Sequence, residues 1–230
     1  MGVKAGHTVG VESEGEQPRS RRAPGRPAIA SERIVSAALE LVDAEGADAL
    51  SMRALAQRLD SGTATLYRHF ANRAQLVAQV VDRVFGEVDL DTQPADQSWQ
   101  DSCKAIAHAM YAALGRHPGI AQLLREQTPF GPNAMMLRER SLAVFLDNGF
   151  TPDVAARSYA TISRFVLGFA IQLSGEPDSH SAQDAAVFQG LDLSKFPATL
   201  AAAGAMPVAL DDEFAFGLEL IVKGLSSGRA

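Results

Sequence analysis

Apolar residues recur every three or four positions along most of the chain, which is the spacing of helices that bury one face. Residues 34, 35, 38, 41 and 42 mark a first helix, which we expect to begin at Ser31, as its N-cap, and to end at Gly46. No segment alternates convincingly between apolar and polar residues. The pattern therefore predicts an all-α fold of about nine to ten helices.

Two short helices follow the first one and are separated by a tight turn. The pattern predicts one helix over residues 51–59 and another over residues 63–70, with the turn Asp60-Ser61-Gly62 between them. Ser51 is a candidate N-cap of the first of these two helices. Two short helices joined in this way form a helix-turn-helix, in which the second helix can present one face outward.

The second of these short helices has one apolar side and one side suited to a DNA groove. At about 100° per residue, the side expected to face the core carries Leu66, Phe70 and Thr63. The other side offers a methyl, a hydroxyl and a guanidinium group, flanked by a phenol and an imidazole: Ala64, Thr65, Arg68, Tyr67 and His69. Such groups can bond base edges and phosphate oxygens. A plain surface hairpin has the same spacing, so spacing alone leaves both interpretations open.

Helical periodicity continues towards the C-terminus. A fourth helix is expected over residues 72–88, starting with a capping box formed by Asn72 and Gln75. Further helices are expected from Trp99 onward, over residues 135–146 and 154–173, and from about Asp211, with a loop at 176–190. We divide the chain into a disordered basic arm (1–29), a helix-turn-helix unit (30–75) and a larger helical unit (76–230).

The net charge of −6 is unevenly distributed. Residues 1–85 carry 11 Lys or Arg against 10 Asp or Glu, whereas residues 86–230 carry 10 against 17. Arg19, Arg21, Arg22 and Arg26 form a cluster in the arm. We interpret this cluster as a non-specific electrostatic contact with phosphates. The alternatives are an arm that reaches into the adjacent minor groove and a solvated tail without specificity.

Several classes of function find no support in the sequence. No apolar run reaches the ~18 residues that span a bilayer, and the N-terminus lacks the pattern of a secretory signal. The only cysteine, Cys103, is interpreted as a buried hydrophobe in a cytoplasmic protein, with a reactive thiol as the alternative. Neither His108 nor His117 has a second ligand one turn away, and no nucleophile motif or phosphate loop occurs. We therefore expect no enzyme activity, cofactor or metal.

Residues 65–70, Thr-Leu-Tyr-Arg-His-Phe, and the following Asn72-Arg73 closely resemble the tetracycline-repressor family of bacterial regulators. The family usually has Gly-Val where this chain has Asp60-Ser61, but Asp tolerates the left-handed conformation that the turn needs. The resemblance implies that the short helices meet DNA, with Tyr67, His69 and Arg73 largely on phosphates. The full candidate set for DNA contact is Arg53, Thr63, Ala64, Thr65, Tyr67, Arg68, His69 and Arg73.

The resemblance continues more weakly in the C-terminal unit, which it implies to be a ligand-binding and dimerisation domain. Residues 99–101, 148–150 and 166–169 look like the corresponding domain of the tetracycline repressors. Family members dimerise by packing two long helices from each subunit, here represented by residues 159–169 and 214–225. Small residues that would allow close approach are Ala160, Gly168, Ala170, Gly217 and Gly224. Ordinary intramolecular core is the alternative for both stretches.

A ligand pocket is expected inside this domain. Met and Phe suit an adaptable apolar cavity, and the candidate lining residues are Ile106, Met110, Leu123, Met135, Met136, Phe145, Phe165 and Phe169. For each of them, simple core is the alternative. The family's namesake binds its metal through histidines, and the matching positions here are Asp89 and Leu124, so a metal-tetracycline site is not expected.

Together these features favour a homodimeric repressor of double-stranded operator DNA. A symmetric dimer would read a palindrome with half-site centres about 34–36 Å apart. A small apolar or amphipathic effector would release the DNA, with the helix at 72–88 as the lever between the two sites. Two alternatives stay open: an activator of the same family, and a helical protein-protein adaptor without DNA binding.

Overall fold

The computed structural model describes residues 1–2, 29–89, 97–125, 128–173 and 187–226. The arm expected at 1–29, with its arginine cluster, lies almost wholly outside the described residues. Helices make up most of the described chain and no described residue belongs to a strand, so the all-α prediction is confirmed. The α-helices are α1 (Ser31–Glu45), α2 (Met52–Arg58), α3 (Thr63–Tyr67), α4 (Arg73–Phe85), α5 (Trp99–Arg116), α6 (Pro118–Leu123), α7 (Pro132–Leu146), α8 (Pro152–Gln172), α9 (Pro197–Ala202) and α10 (Leu210–Ser226).

Helix α1 ends where the sequence predicted but is capped differently at its start. Gly46 has φ +86° and its N–H bonds the carbonyl of Val42, which closes the helix. The predicted N-cap, Ser31, is instead the first helical residue. Ala30 is the N-cap, because its backbone already takes the extended conformation of that position, and no side chain caps the helix.

Helices α2 and α3 form the predicted helix-turn-helix. The hydroxyl of Ser51 accepts a hydrogen bond from the N–H of Ala54, 3.1 Å away, and so caps α2. Asp60, at φ +47°, takes the left-handed conformation expected of it in the turn. Leu66 and Phe70 are fully buried and hold α3 against the rest of this unit.

Thr63 does not face the core as predicted, but is exposed. It is the first residue of a helix of only five residues, so no preceding turn covers it. Its hydroxyl therefore lies on the same open end of the helix-turn-helix as Ala64, which is also exposed.

Helix α4 follows α3 after a short connection. The side chain of Asn72 accepts a hydrogen bond from the N–H of Gln75 (2.9 Å), as predicted. The side chain of Gln75 reaches back to the N–H of Ala71 (2.6 Å), one residue before the position that a standard capping box would use. The boundary that the sequence suggested between residues 75 and 76 thus falls inside the first turn of α4.

The remaining helices form a bundle in which α8 packs against α5, α6, α7 and α10. Buried residues form one continuous core from Ile34 to Val222, since α1 packs against both α4 and α6. The phenol of Tyr111 on α5 donates to Asp211 on α10 (3.0 Å).

Helix α9 was not predicted from the sequence. None of its residues is buried, so its sequence shows no core-facing stripe. No helix among the described residues is both long and apolar enough to cross a membrane.

Candidate DNA-binding face and ligand cavity

The outer face of α3 presents the side chains that the sequence assigned to DNA. Ala64 and Arg68 are exposed, and Tyr67 has 53% of its surface accessible. Thr65 is half-buried, and its hydroxyl lies 3.5 Å from an amino group of Arg68, within hydrogen-bond distance. Because Leu66 and Phe70 anchor the opposite side, α3 is held with Ala64, Tyr67 and Arg68 facing outward.

The other three candidate contacts differ in their surroundings. Arg53, in the first turn of α2, is exposed. His69 is half-buried, with its ring tilted against Phe70. Arg73 is also half-buried, and its Nε donates to the carbonyl of Leu50, 2.7 Å away. Arg73 therefore ties the start of α4 to the segment before α2, a structural role that the sequence did not indicate.

A histidine joins the helix-turn-helix unit to the bundle. Nδ1 of His117 lies 2.9 Å from a carboxylate oxygen of Asp43 on α1, and Nε2 lies 3.1 Å from one of Glu87, just after α4. Arg116 also pairs with Glu87, at 3.6 Å. A ring carrying both protons can donate to both carboxylates at once. Within the described residues, no group of three His, Cys, Asp or Glu side chains is placed to hold a metal ion.

A cavity of about 520 Å³ opens into the bundle, and its volume is within the usual size of a site for a small organic ligand. Its wall is formed mainly by α5, α7 and α8, together with the segment 128–130 and the last residue of α4, Phe85. Most of the wall is apolar. Its polar side chains are Thr128, Arg138, Ser141, Tyr159, Ser163 and Arg164.

Three of the eight predicted lining residues lie in this wall: Ile106, Met110 and Phe145. Leu123, on α6, is fully buried in the hydrophobic core, and the neighbouring Leu124 lines the cavity instead. Met135 and Met136 are exposed, because they lie on the outer side of the first turns of α7. Met136 lines a second, more polar cavity of about 350 Å³ beside Arg140.

Phe165 and Phe169 also lie outside the cavity wall, because they seal α8 against α10. Their rings are 4.8 Å apart and lie 5.4 and 5.5 Å from the ring of Phe214. A Cβ atom at Gly217 would come within 2.7 Å of the Phe165 ring, so this glycine serves the intramolecular contact.

Sequence reasoning missed the polar members of the wall. Ala134, Leu137, Arg138 and Ser141 recur at helical spacing on α7. Arginine and serine within such a stripe are ordinarily read as solvent-facing, and only their spacing relative to Leu137 could have indicated the cavity.

A buried carboxylate connects α4 to the cavity wall. Asp82 on α4 is 8% exposed, and its Oδ1 accepts from the N–H of Ala134, 2.9 Å away, at the start of α7. Its Oδ2 accepts from the N–H and side-chain amide of Asn133, at 3.4 and 3.2 Å. Asp82 thus caps α7 from another helix, an arrangement we call the Asp82 clamp.

Cys103 lies in the cavity wall, where burial raises the pKa of its thiol from 9.0 to about 12. At neutral pH each unit by which the pKa rises lowers the thiolate fraction about tenfold, so the reactive form is on the order of a thousandfold rarer in the folded protein than in an open chain. We expect iodoacetamide to alkylate the native protein about that much more slowly than the protein unfolded in guanidinium, as followed by mass spectrometry. Equal rates in the two states would contradict this placement of the only cysteine.

An apolar stripe remains uncovered on α10. Phe216 and Leu220 have 67% and 54% of their surfaces accessible, one helical turn apart. Gly224 continues the stripe, and on α8 Gly168 is likewise exposed, with open space where a Cβ would lie. Ala160 lines the cavity and Ala170 is fully buried, so these two small residues serve the interior.

Comparison with known proteins gives matches over nearly the whole chain. The family model described as "Bacterial regulatory proteins, tetR family" matches residues 34–80, and the model described as "Tetracyclin repressor-like, C-terminal domain" matches residues 92–228. The HTH-type transcriptional repressor DrrR1 of Streptomyces coeruleorubidus is 30% identical over 219 residues, which cover 90% of this chain and 80% of that protein. The tetracycline repressor class A from transposon 1721 of Escherichia coli is 29% identical over 198 residues, covering 85% and 90%.

Comparison with solved structures points to the same family as the sequence matches do. The TetR family protein ActR of Streptomyces coelicolor in complex with actinorhodin superposes with a TM-score of 0.79 at 32% identity, covering 89% of this chain and 99% of that one.

Proposed function

Because the chain belongs to the tetR family of bacterial regulatory proteins, we propose that it is a homodimeric repressor that leaves a palindromic operator when an amphipathic small molecule fills the cavity. Proteins of this family are generally DNA-binding regulators rather than enzymes, and action on chromosomal DNA implies the cytoplasm. The observation that carries the proposal is the position of α4, which starts three residues after Phe70 and ends at Phe85 in the cavity wall.

We assign the reading of DNA to the exposed face of α3. In this assignment Arg68 bonds a base edge in the major groove, and Ala64 and Thr65 contact neighbouring bases. Tyr67 and His69 bond phosphates, and so do Arg53, Thr63 and Arg73 from the flanking turns.

The effector acts through α4. A ligand in the cavity touches Phe85 directly and touches α7, whose start is held to α4 by the Asp82 clamp. If the ligand binds better to the conformation with separated reading helices, linkage weakens operator binding by the same free energy, typically about 1–3 kcal/mol. The apolar wall with a few polar groups favours an amphipathic molecule. The similar protein ActR was solved in complex with actinorhodin.

Dimerisation is assigned to the outer faces of α8 and α10. A two-fold axis through the stripe of Phe216 and Leu220 would cover these side chains with their own copies and place the small Gly168 and Gly224 against the partner. Both reading helices could then meet one palindrome, which one short helix alone could not read with useful specificity.

The variant Leu220→Glu is expected to dissociate the dimer. A symmetric interface contains the substitution twice. Each copy removes about 1.5–3 kcal/mol of apolar burial and adds an unpaired carboxylate. The dissociation constant should rise by about a hundredfold or more, as measured by sedimentation velocity over a dilution series. Leu146→Glu, at a similarly exposed leucine on α7, is the matched control and should leave the assembly unchanged. A Leu220→Glu protein that stays dimeric would exclude this face.

Two coupled experiments test the function itself. Selection of bound fragments from a random duplex library should enrich a palindrome, and absence of enrichment would favour the adaptor alternative. Transcription in vitro from a promoter containing the selected site should fall when the protein is added and recover with actinorhodin as the first probe. A rise in transcription on adding the protein would make it an activator.

A further inference from the structure

The cavity contains a guanidinium group whose partners among the described residues are all uncharged. Arg138, on α7, is half-buried. Its Nε donates to the phenol oxygen of Tyr159 (3.2 Å), and its two amino groups donate to the carbonyl of Pro129 (3.3 Å) and to the sulfur of Met135 (3.1 Å). A guanidinium has five N–H donors, so these three bonds leave two for another group.

The orientation of Arg138 is fixed by two aromatic rings. The central carbon of its guanidinium lies 5.4 Å from the centroid of the Phe130 ring and 5.7 Å from that of Tyr159. Both distances are within the range of cation–π contacts. Because the guanidinium is already held in one orientation, it needs little further ordering to bind an anionic group such as a carboxylate or sulfonate.

The charge balance of the wall is opposite to that of the domain around it. Residues 86–230 carry 10 Lys or Arg against 17 Asp or Glu. The described wall of the cavity nevertheless contains two arginines, Arg138 and Arg164, and no carboxylate. A cation partly removed from water and without a counter-ion is costly, and an anionic ligand would offset that cost.

We propose that the effector is an aromatic acid whose anionic group binds Arg138 while its ring system lies among Ile106, Met110 and Phe145. This inference rests on the proposed function, since it names the chemical class of the effector for the same cavity. Arg138 is then the specificity-determining residue: it selects acids over neutral aromatics of the same shape.

Two fluorescent probes that share one ring system and differ by a single sulfonate group test this assignment. They are 8-anilinonaphthalene-1-sulfonate and its uncharged parent, N-phenyl-1-naphthylamine, titrated into the full-length protein. The sulfonate should bind the wild type about tenfold or more tightly than the parent does. Arg138→Gln should weaken sulfonate binding by about ten- to hundredfold, as for a lost charged hydrogen bond, and leave the parent within about twofold. Arg138→Lys should restore part of the difference.

Arg157→Gln is the matched control, because Arg157 is an arginine on α8 that does not line the cavity and has 78% of its side chain exposed. It should change neither affinity by more than about twofold. Equal binding of both probes to the wild type, no binding of the sulfonate, or equal losses of both probes in Arg138→Gln would each overturn the proposal. The titrations contain no DNA, so their failure leaves the repressor function standing, and a failed operator selection does not affect their result.

Discussion

Replacing Arg68 by alanine should lower operator affinity by about thirtyfold to ten-thousandfold. A bidentate contact with a guanine edge contributes about 1–3 kcal/mol, and a symmetric dimer loses it twice, about 2–6 kcal/mol in all. Combining the change with Tyr67→Ala should deepen the loss and reduce the salt dependence of binding, because a phosphate contact is removed as well. Fluorescence anisotropy on the selected operator and on a scrambled duplex measures both effects.

The stability of these variants separates DNA reading from a structural role. Both side chains are exposed, so the free energy of unfolding should change by less than about 0.5 kcal/mol for each. Arg157→Ala on α8 removes an arginine whose side chain is 78% exposed and forms an ion pair with Asp153, four residues earlier, so it controls for the loss of charge. Full operator affinity in Arg68→Ala, or a loss that Arg157→Ala reproduces, would show that α3 is not the reading helix.

Breaking the Asp82 clamp should lower both the stability of the protein and the coupling between the cavity and the operator. Asp82→Ala leaves the N–H groups of Asn133 and Ala134 without their carboxylate acceptor and removes the negative charge from the positive end of α7. We expect the free energy of unfolding to fall by about 1.5–3 kcal/mol, as measured by urea denaturation.

The clamp should also carry the coupling between cavity and operator. By linkage, operator binding changes the affinity of a cavity ligand by the same factor with which that ligand changes operator affinity. The ratio of the affinities of 8-anilinonaphthalene-1-sulfonate for free and operator-bound protein should therefore approach one in Asp82→Ala. Gly131→Ala offers an independent route, because a Cβ at Gly131 would overlap the Asp82 carboxylate and force it to move.

The control for the clamp is Asp147→Ala, an exposed carboxylate at the other end of α7. It should change neither stability nor the affinity ratio appreciably, since a negative charge is not favoured at a helix C-terminus. Coupling that survives unchanged in both Asp82→Ala and Gly131→Ala would mean that the signal passes through Phe85 or α6 instead.

The parts of the structure that depend on a few neighbouring residues could be predicted from the sequence. The cap at Ser51, the stop at Gly46 and the left-handed Asp60 each follow from bonds or conformations confined to about four residues. The outward position of Arg68 follows from Leu66 and Phe70 on the opposite side of the same short helix. Thr63 was misplaced because periodicity describes a continuous helix and takes no account of its end.

The lining of the cavity depended on how separate helices are rotated against one another. Helix α8 has apolar residues on several sides, and only its packing against α5, α7 and α10 sends Val166 to the cavity and Phe169 to α10. Likewise, nothing near Asp82 in the sequence shows that it caps a helix that begins some fifty residues later. Local hydrogen bonds and periodicity are properties of short segments and are set by the sequence alone, whereas the partner of each helix face is chosen only when the whole core packs.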